Sequence, residues 1–289
     1  MDVLITGAAR GIGAQTARLL AAKGHRISLV GLEPELLAEL AAELGEQHCW
    51  FPADVTDSES LRAAVAGTVE RFGGIDVVLA NAGIASYATV RIADPEAFAR
   101  VVDINLTGVF RTLNATLPSL IERKGYALIV ASLATYTPMP GLAAYAASKA
   151  GVESLGHAVR HEMAPYGVQV GTCHPSWIDT DMVRAAEADL PTFKTLRGRL
   201  PWPANGLTTV EKCAEAVVRG IEKRSRRVYV PRSVALVNAA RALLVSPVAD
   251  LLIGRQARTL VPQLEDEVRR LGRQHQRHAA APEPGATPQ

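Results

Sequence analysis

The residues best suited to chemistry are Tyr145 and Lys149, which stand four positions apart in the chain. The surrounding pattern predicts a helix over residues 144–165, so both side chains lie on one face of it. An ammonium group beside a phenol favours the phenolate, and we expect Lys149 to lower the pKa of Tyr145 from about 10 toward neutrality. Such a tyrosine can exchange a proton with a carbonyl or alcohol oxygen. Ser132, after a predicted strand over residues 126–131, is placed to donate a hydrogen bond to that oxygen.

A second set of residues is the glycine-rich loop of residues 6–13, with the sequence TGAARGIG. Its glycines allow the backbone to approach a pyrophosphate, and the N-terminus of the helix that follows favours negative charge. A glycine-rich turn can also lack a ligand, and a Tyr–Lys pair at this spacing occurs by chance on many helices. The combination of both with Ser132 favours a dinucleotide-dependent enzyme.

These residues need elements to position them, and the chain alternates short apolar runs with helical patterns. Such alternation is typical of a parallel sheet with helices on both faces. The sequence therefore predicts an α/β fold with a doubly wound, Rossmann-type sheet, whose ligand site lies beyond the carboxyl ends of the strands. Predicted strands cover residues 3–5, 27–30, 48–51, 77–80, 126–131, 168–173 and 228–230, and predicted helices cover 14–23, 34–44, 58–72 and 144–165.

Residues 1–231 resemble the short-chain dehydrogenase/reductase family. The loop of residues 6–13 matches its TGxxxGxG motif, and residues 80–83, with the sequence ANAG, are similar to its NNAG motif apart from Ala80. The resemblance extends to the family's catalytic set, which this sequence matches at Asn105, Ser132, Tyr145 and Lys149. Pro175 and Ser176 stand where the family usually has Pro-Gly, which leaves the local turn open but not the fold.

The resemblance implies that a nicotinamide cofactor and the substrate carbon exchange a hydride while Tyr145 exchanges the proton. Lys149 would hold the nicotinamide ribose, Ser132 would orient the substrate oxygen, and Asn105 would hold a water that links Lys149 to solvent. Ser132, Tyr145 and Trp177 are the expected substrate contacts. The expected cofactor-binding residues are Gly7, Arg10, Gly11, Ile12, Gly13, Leu32, Asp54, Val55, Asn81, Ala82, Gly83, Tyr145, Lys149, Pro175, Ile178 and Thr180.

The identity of the cofactor depends on the residues after the second strand. A carboxylate there normally accepts the ribose hydroxyls and repels a 2′-phosphate. Gly31 and Leu32 occupy those positions, and Arg10 is available for a 2′-phosphate, so NADP is favoured over NAD. Glu33 is close enough in sequence to serve as the ribose acceptor, and Arg10 can instead be a solvated loop charge, which keeps NAD open.

Residues 176–207 are too many for an ordinary connection and are expected to cover the site as a substrate lid. Five apolar side chains of this segment could line a pocket for a lipophilic ketone, secondary alcohol or steroid-like substrate, or could merely pack the lid onto the domain. They are Trp177, Met182, Leu190, Phe193 and Trp202.

The C-terminal part of the 289-residue chain differs in charge from the rest. Residues 222–289 hold twelve Lys/Arg against six Asp/Glu, while the whole chain carries a net charge of only +2. We expect a helical extension over residues 232–271 and a disordered tail over 272–289. An apolar stripe in the extension could pack on the core, join a second subunit or lie on an anionic membrane surface. The stripe consists of Val237, Ala240, Leu244, Val248 and Leu251.

Composition limits the remaining possibilities. The small net charge and the 5% aromatic content give no indication of a nucleic-acid partner. The apolar segment 234–253 could otherwise span a membrane, but it is interrupted by Asn238, Arg241, Pro247 and Asp250. Three cysteines favour a reducing, cytoplasmic setting. The C-terminal extension leaves peripheral contact with a membrane open. His157 and His161 lack a third ligand, so no metal is predicted.

The expected assembly is a homodimer or homotetramer acting on a small carbonyl or alcohol substrate. Two other functions stay open at this point: a nucleotide-binding regulator without turnover, and a sugar-nucleotide epimerase or dehydratase, which shares the Tyr-xxx-Lys pair. The intact Ser132, Tyr145 and Lys149 disfavour the regulator, and the glycine spacing disfavours the epimerase.

Overall fold

The computed structural model describes residues 1–137, 139–244 and 246–278. Its centre is a seven-stranded sheet in which every neighbouring pair is parallel, in the order β3-β2-β1-β4-β5-β6-β9. The order reverses between β1 and β4, which is where doubly wound sheets bind ligands. The strands are β1 Asp2–Thr6, β2 Arg26–Gly31, β3 Cys49–Pro52, β4 Val77–Ala80, β5 Tyr126–Val130, β6 Gln169–Pro175 and β9 Arg227–Val230, and β7 Trp177–Ile178 pairs with β8 Leu207–Thr208.

Helices cover both faces of this sheet and bury its apolar side chains in two separate clusters. Polar side chains cap the N-termini of several of these helices. Asp57 and Asp94, for example, each accept a hydrogen bond from the backbone N–H two residues further along the chain. The helices are α1 Gly11–Ala21, α2 Pro34–Leu44, α3 Ser58–Phe72, α4 Pro95–Val102, α5 Gly108–Arg123, α6 Ala143–Met163, α7 Asp181–Asp189, α8 Pro191–Gly198, α9 Val210–Glu222, α10 Val234–Ala239, α11 Arg241–Leu244 and α12 Pro247–His278.

The predicted α/β fold is confirmed, and so is the helical C-terminal extension. The predicted strands agree with the observed ones to within two residues at either end. Helix α1 begins at Gly11 rather than at residue 14, because the backbone N–H of Ala14 already donates to the carbonyl oxygen of Arg10. The connection over residues 176–207 is not an irregular loop, since it contains the two helices α7 and α8.

The C-terminal extension folds back onto the substrate side of the domain. Leu260, Leu264 and Val268 repeat every four residues along α12 and are buried against the lid helix α8 and the loop before α6. The carboxylate of Glu265, also buried, accepts hydrogen bonds from Thr89 and Arg91. Packing on the core, one of the three interpretations of this segment, is therefore its observed arrangement.

Two details of the extension differ from expectation. The predicted apolar stripe is not continuous, because α10, α11 and α12 are separate helices and Leu251 is exposed. The predicted tail begins at Gly272, but α12 continues to His278 beyond a break at Gly272, where φ is 76°. Four of the six residues from 273 to 278 are Arg or Gln, which are good helix formers, and this favours a helix there. Residues 279–289 lie outside the described part of the chain.

Among the residues that the structure describes, none of the helices is long and apolar enough to cross a membrane.

Candidate active site

The glycine-rich loop joins the end of β1 to the start of α1. Gly7 and Gly11 have φ values of 63° and 53°, which favour glycine. A side chain on Gly13 would put its Cβ only 2.3 Å from the carbonyl oxygen of Gly7, so this turn of α1 can lie against the loop only without a Cβ. Within the described residues, no side chain caps the N-terminus of α1. The open N–H groups and the glycine cradle therefore fit a pyrophosphate.

Asn81, directly after β4, fastens this loop to the neighbouring strand. Its side-chain Nδ2 donates to the carbonyl oxygens of Thr6 and Gly7, both at 3.0 Å. The Thr6 hydroxyl in turn accepts a hydrogen bond from the backbone N–H of Asn81 at 3.1 Å. These contacts fix the shape of the loop at the point where the strand order reverses.

A cleft of about 340 Å³ extends from this loop along the carboxyl ends of the strands. The structure brings fifteen of the sixteen expected cofactor-binding residues to its walls. The remaining one, Gly13, supports the loop from behind. The fifteen are Gly7, Arg10, Gly11, Ile12, Leu32, Asp54, Val55, Asn81, Ala82, Gly83, Tyr145, Lys149, Pro175, Ile178 and Thr180.

At one end of the cleft, Arg10 and Glu33 form an ion pair in which Nε donates to Oε1 at 3.1 Å. Arg10 is 59% exposed there, so the pair is well solvated and weak. Leu32 lies beside them on the same wall. Arg10, which favours NADP, and Glu33, which would favour NAD, are thus hydrogen-bonded to each other.

At the other end, Ser132, Tyr145 and Lys149 lie together between β5 and α6. Lys149 is buried, and its Nζ donates to the carbonyl oxygen of Val130 at 2.8 Å. That nitrogen is 5.8 Å from the centre of the Tyr145 ring, on the same face of α6. The hydroxyls of Ser132 and Tyr145 are hydrogen-bonded to each other, so both can reach one oxygen atom of a substrate.

Asn105 lies behind this group, in a π-helical turn that covers Asp103–Thr107 and interrupts the helix leading into α5. Its side chain exchanges hydrogen bonds with the backbone N–H and carbonyl of Ile84, at 2.8 and 2.9 Å, and also donates to the Ser148 hydroxyl. A Cβ on Gly83 would lie 3.2 Å from Asn105 Oδ1 and 3.4 Å from Lys149 Nζ. A π-helical turn like the one that holds Asn105 is frequent at functional sites.

Burial controls the protonation of the two titratable groups. It raises the pKa of the Tyr145 phenol, an effect that the hydrogen bond with Ser132 only partly offsets. It lowers the pKa of Lys149 to about 8. The expected lowering of the Tyr145 pKa by Lys149 is not met in this structure, because burial of the phenol is the main influence on that pKa and the Lys149 ammonium bonds to the carbonyl oxygen of Val130.

A small apolar pocket of about 60 Å³ adjoins the cleft at Ser132 and Tyr145. Trp177 and Met182 line it, as the sequence predicts, and the indole N–H of Trp177 donates to the carbonyl of Ala204 at 2.8 Å. Leu190 and Phe193 do not line it, because they are buried where the lid packs onto α12. Trp202 does not line it either, and its side chain is 74% exposed.

Sequence reasoning missed a buried polar network beside the site. The Tyr136 hydroxyl donates to Glu153 and lies 3.0 Å from Nδ1 of His174, whose Nε2 lies 3.0 Å from the Thr172 hydroxyl. His174 directly precedes Pro175 of the cleft, and Glu153 follows Lys149 by one turn of α6. Helical spacing indicates the position of Glu153, but no sequence signal brings it to a histidine on β6.

This network makes folding stability depend on pH. Burial lowers the pKa of His174 to about 4, so below pH 6.5 the unfolded chain holds a proton that the folded chain does not. Between pH 7.5 and 5, the free energy of unfolding of the unsubstituted protein, called the parent below, should therefore fall by about 2 kcal/mol more than that of His174→Gln. Urea unfolding of both proteins across this range measures the difference. Equal slopes would contradict the assignment.

Within the described residues, no group of three or more His, Cys, Asp or Glu side chains is placed to hold a metal ion.

Comparisons with known proteins agree with this geometry. Residues 2–191 match a family model described as short chain dehydrogenase. A trans-4-hydroxycyclohexanecarboxylate dehydrogenase from Sinomonas cyclohexanicum is 37% identical over 188 residues, 62% of this chain and 73% of that protein. An actinorhodin polyketide ketoreductase solved with NADPH is 28% identical with a TM-score of 0.72, over 79% of this chain and 95% of the other. An NAD⁺-bound xylitol dehydrogenase is 26% identical with a TM-score of 0.72, over 79% and 96%.

Proposed function

The chain belongs to the short-chain dehydrogenase/reductase family and is an NAD(P)-dependent oxidoreductase acting on CH–OH groups, and on that premise we propose that it interconverts a lipophilic secondary alcohol and its ketone with Tyr145 as the acid and base. The observation that carries the proposal is the position of Tyr145. It lies at the junction of the two cavities, on the wall of the cleft and of the apolar pocket.

A nicotinamide cofactor, when bound, accepts or supplies the hydride. The chain's own residues bind and orient the reactants. The glycine loop and α1 would hold the pyrophosphate, and Lys149 would hold the nicotinamide ribose. Ser132 donates a hydrogen bond to the substrate oxygen, and Tyr145 gives that oxygen a proton in reduction and removes it in oxidation. Asn105 positions Ser148 and the Ile84 backbone next to Lys149.

Eight apolar side chains of the pocket support a lipophilic substrate. A polyhydroxylated sugar would leave its hydroxyls without partners against these walls. The eight side chains are Ala85, Leu133, Ala134, Met139, Leu142, Trp177, Met182 and Val183.

The test of the proposed function is a panel of cyclic and linear secondary alcohols and ketones. Turnover of each compound is measured by the absorbance of the reduced nicotinamide, once with each of the two cofactors. We expect turnover of apolar substrates with little activity on sugars. Cofactor binding without turnover of any compound would favour the regulator, and sugar-nucleotide conversion without net change of the cofactor would favour the epimerase.

We propose NADP as the preferred cofactor, because Leu32 replaces a carboxylate and Arg10 is exposed at the end of the cleft. A 2′-phosphate must take Arg10 from Glu33 and then lies close to that carboxylate. Glu33→Gln should therefore raise the ratio of kcat/KM for NADP over NAD about tenfold, and Arg10→Gln should lower it about tenfold.

Initial rates with both cofactors measure this ratio. Glu35→Gln is the matched control, since it removes an exposed carboxylate two residues further along α2 and should leave the ratio unchanged. An Arg10→Gln variant that keeps or increases its preference for NADP would contradict the assignment.

Assembly, membrane contact and a cytoplasmic location remain proposals. Phe98 on α4 and Phe110 on α5 are exposed, which supports a homodimer or homotetramer that covers them, and light scattering measures its mass.

Exposed Leu251 lies on α12 together with Arg255 and Arg258, which supports contact with an anionic membrane surface. Sedimentation with phosphatidylglycerol vesicles tests this contact, and replacing both arginines by glutamate should abolish it.

A further inference from the structure

A second apolar cavity, larger than the substrate pocket, lies outside the site described above. Its volume is about 580 Å³, within the range of pockets that bind small organic ligands. We call it the C-terminal groove, because one wall is the end of the lid and the other is formed by α10, α11 and α12. The lid contributes Arg199, Trp202 and Ala204 to its lining, and the C-terminal part of the chain contributes Leu236, Ala240 and Ile253.

Almost all of these side chains are apolar, and several of the largest are accessible from outside. Trp202 is 74% exposed and Leu236 is 57% exposed, and Ile253 is exposed as well. A concave apolar surface open to water is costly, and such a surface in a folded protein usually marks a binding site. The groove therefore fits a ligand with a long hydrocarbon surface.

The groove adjoins the substrate pocket. Thr137 and Met139 line both cavities, so Met139 forms part of the partition between them. A methionine side chain is unbranched and adapts to a neighbour, so such a partition can shift. The lid also belongs to both sides, because Ala204 lines the groove while its carbonyl oxygen accepts the hydrogen bond from Trp177 in the pocket.

We propose that the C-terminal groove binds the hydrocarbon chain of a long-chain secondary alcohol or ketone whose oxygen lies at Ser132 and Tyr145. The inference rests on the proposed function and names its substrate class. The pocket of about 60 Å³ holds only the few carbons next to the reacting centre, and the remaining chain passes Met139 into the groove. Arg199, on the groove's lining, is a partner for a carboxylate on the far end of such a chain.

Binding is tested without any turnover, with 11-(dansylamino)undecanoic acid as a fluorescent probe. We expect saturable binding of one probe per chain. Ala240→Phe places a ring in the groove and should weaken binding at least tenfold. Ala239→Phe is the matched control, since Ala239 is the exposed neighbour on α10 and does not line the groove, and it should bind like the parent.

Turnover then tests whether the chain belongs to the substrate, using 2-alkanols from 2-butanol to 2-decanol. In the parent, kcat/KM should rise up to about fourfold for each methylene that the groove buries. In Ala240→Phe this increase should disappear for the longer alcohols, while the rate with 2-butanol stays within twofold of the parent.

The outcomes separate the two proposals. Equal probe binding by Ala240→Phe and Ala239→Phe would overturn the groove assignment, as would chain-length dependence that Ala240→Phe retains. The groove assignment would also be overturned if the protein bound phosphatidylcholine–phosphatidylglycerol vesicles but showed no saturable binding of the free probe. The exposed apolar side chains of the groove would then be a membrane contact. Specific probe binding without oxidation of any 2-alkanol would support the groove and contradict the proposed reaction.

Discussion

Replacing Tyr145 by Phe should lower kcat about a thousandfold, or about 4 kcal/mol of transition-state stabilisation. The substitution removes one oxygen atom from a side chain that is half-buried between the cleft and the apolar pocket. The substrate oxygen then keeps the hydrogen bond from Ser132 but loses its proton donor. Lys149 cannot replace it, because its Nζ is buried and bonded to Val130.

Initial rates with the best substrate of the panel measure this loss, and quenching of protein fluorescence by the cofactor measures binding. Cofactor affinity should stay within about threefold of the parent, which separates loss of chemistry from loss of the site. Tyr87→Phe is the matched control, since Tyr87 lines the same pocket but lies outside the cleft, and its kcat should change less than threefold. A Tyr145→Phe enzyme with more than a tenth of the parent kcat would refute the assignment of the acid and base.

The parts of the site that the sequence predicts are those in which a few adjacent residues determine the geometry. The loop of residues 6–13 needs glycine at Gly7 for its positive φ and at Gly13 for close approach, so both leave a signal in the sequence. The spacing of Tyr145 and Lys149 likewise determines that they share a face of α6. The sheet is predicted for the same reason, since most of its strands contain short apolar runs separated along the chain by helical patterns.

The parts that could not be predicted depend on contacts between distant segments. The ion pair of Arg10 with Glu33 joins residues 23 apart, and the hydrogen bond of Tyr136 with His174 joins residues 38 apart. The predicted lowering of the Tyr145 pKa fails for the same reason. The burial of the phenol and the hydrogen bond of Lys149 to Val130 depend on tertiary structure. The individual roles assigned to the site residues stay predictions until they are tested by substitution.

The C-terminal extension illustrates the same limit, since from sequence its apolar stripe favours packing or assembly over membrane contact but does not separate packing from assembly. The structure divides these possibilities along α12. Leu260, Leu264 and Val268 are buried against the lid, while Leu251 and Ile253 toward the start of the helix are exposed. One helix thus closes the substrate side of the domain with its second half and forms a wall of the C-terminal groove with its first half.

Leu264→Ala should lower the free energy of unfolding by about 3 kcal/mol, the usual cost of an empty space left by a buried leucine. Leu264 is 1% exposed, and its Cδ2 lies over Gly141, where a Cβ would be 2.6 Å away. The loop at Gly141 leads into α6, so the loss should also loosen Met139 and Leu142 on the wall of the substrate pocket. KM for an apolar substrate should therefore rise severalfold, while kcat changes little.

Urea unfolding measures the stability, and initial rates measure the two kinetic constants. Leu251→Ala is the matched control, because it makes the same substitution on the same helix at a side chain that is 59% exposed. Its stability should change by less than about 0.5 kcal/mol. If Leu264→Ala unfolded like Leu251→Ala, α12 would not be held against the lid in solution. The partition at Met139 would then lack its support from α12, because Leu264 packs in the same cluster as Met139 and Leu142.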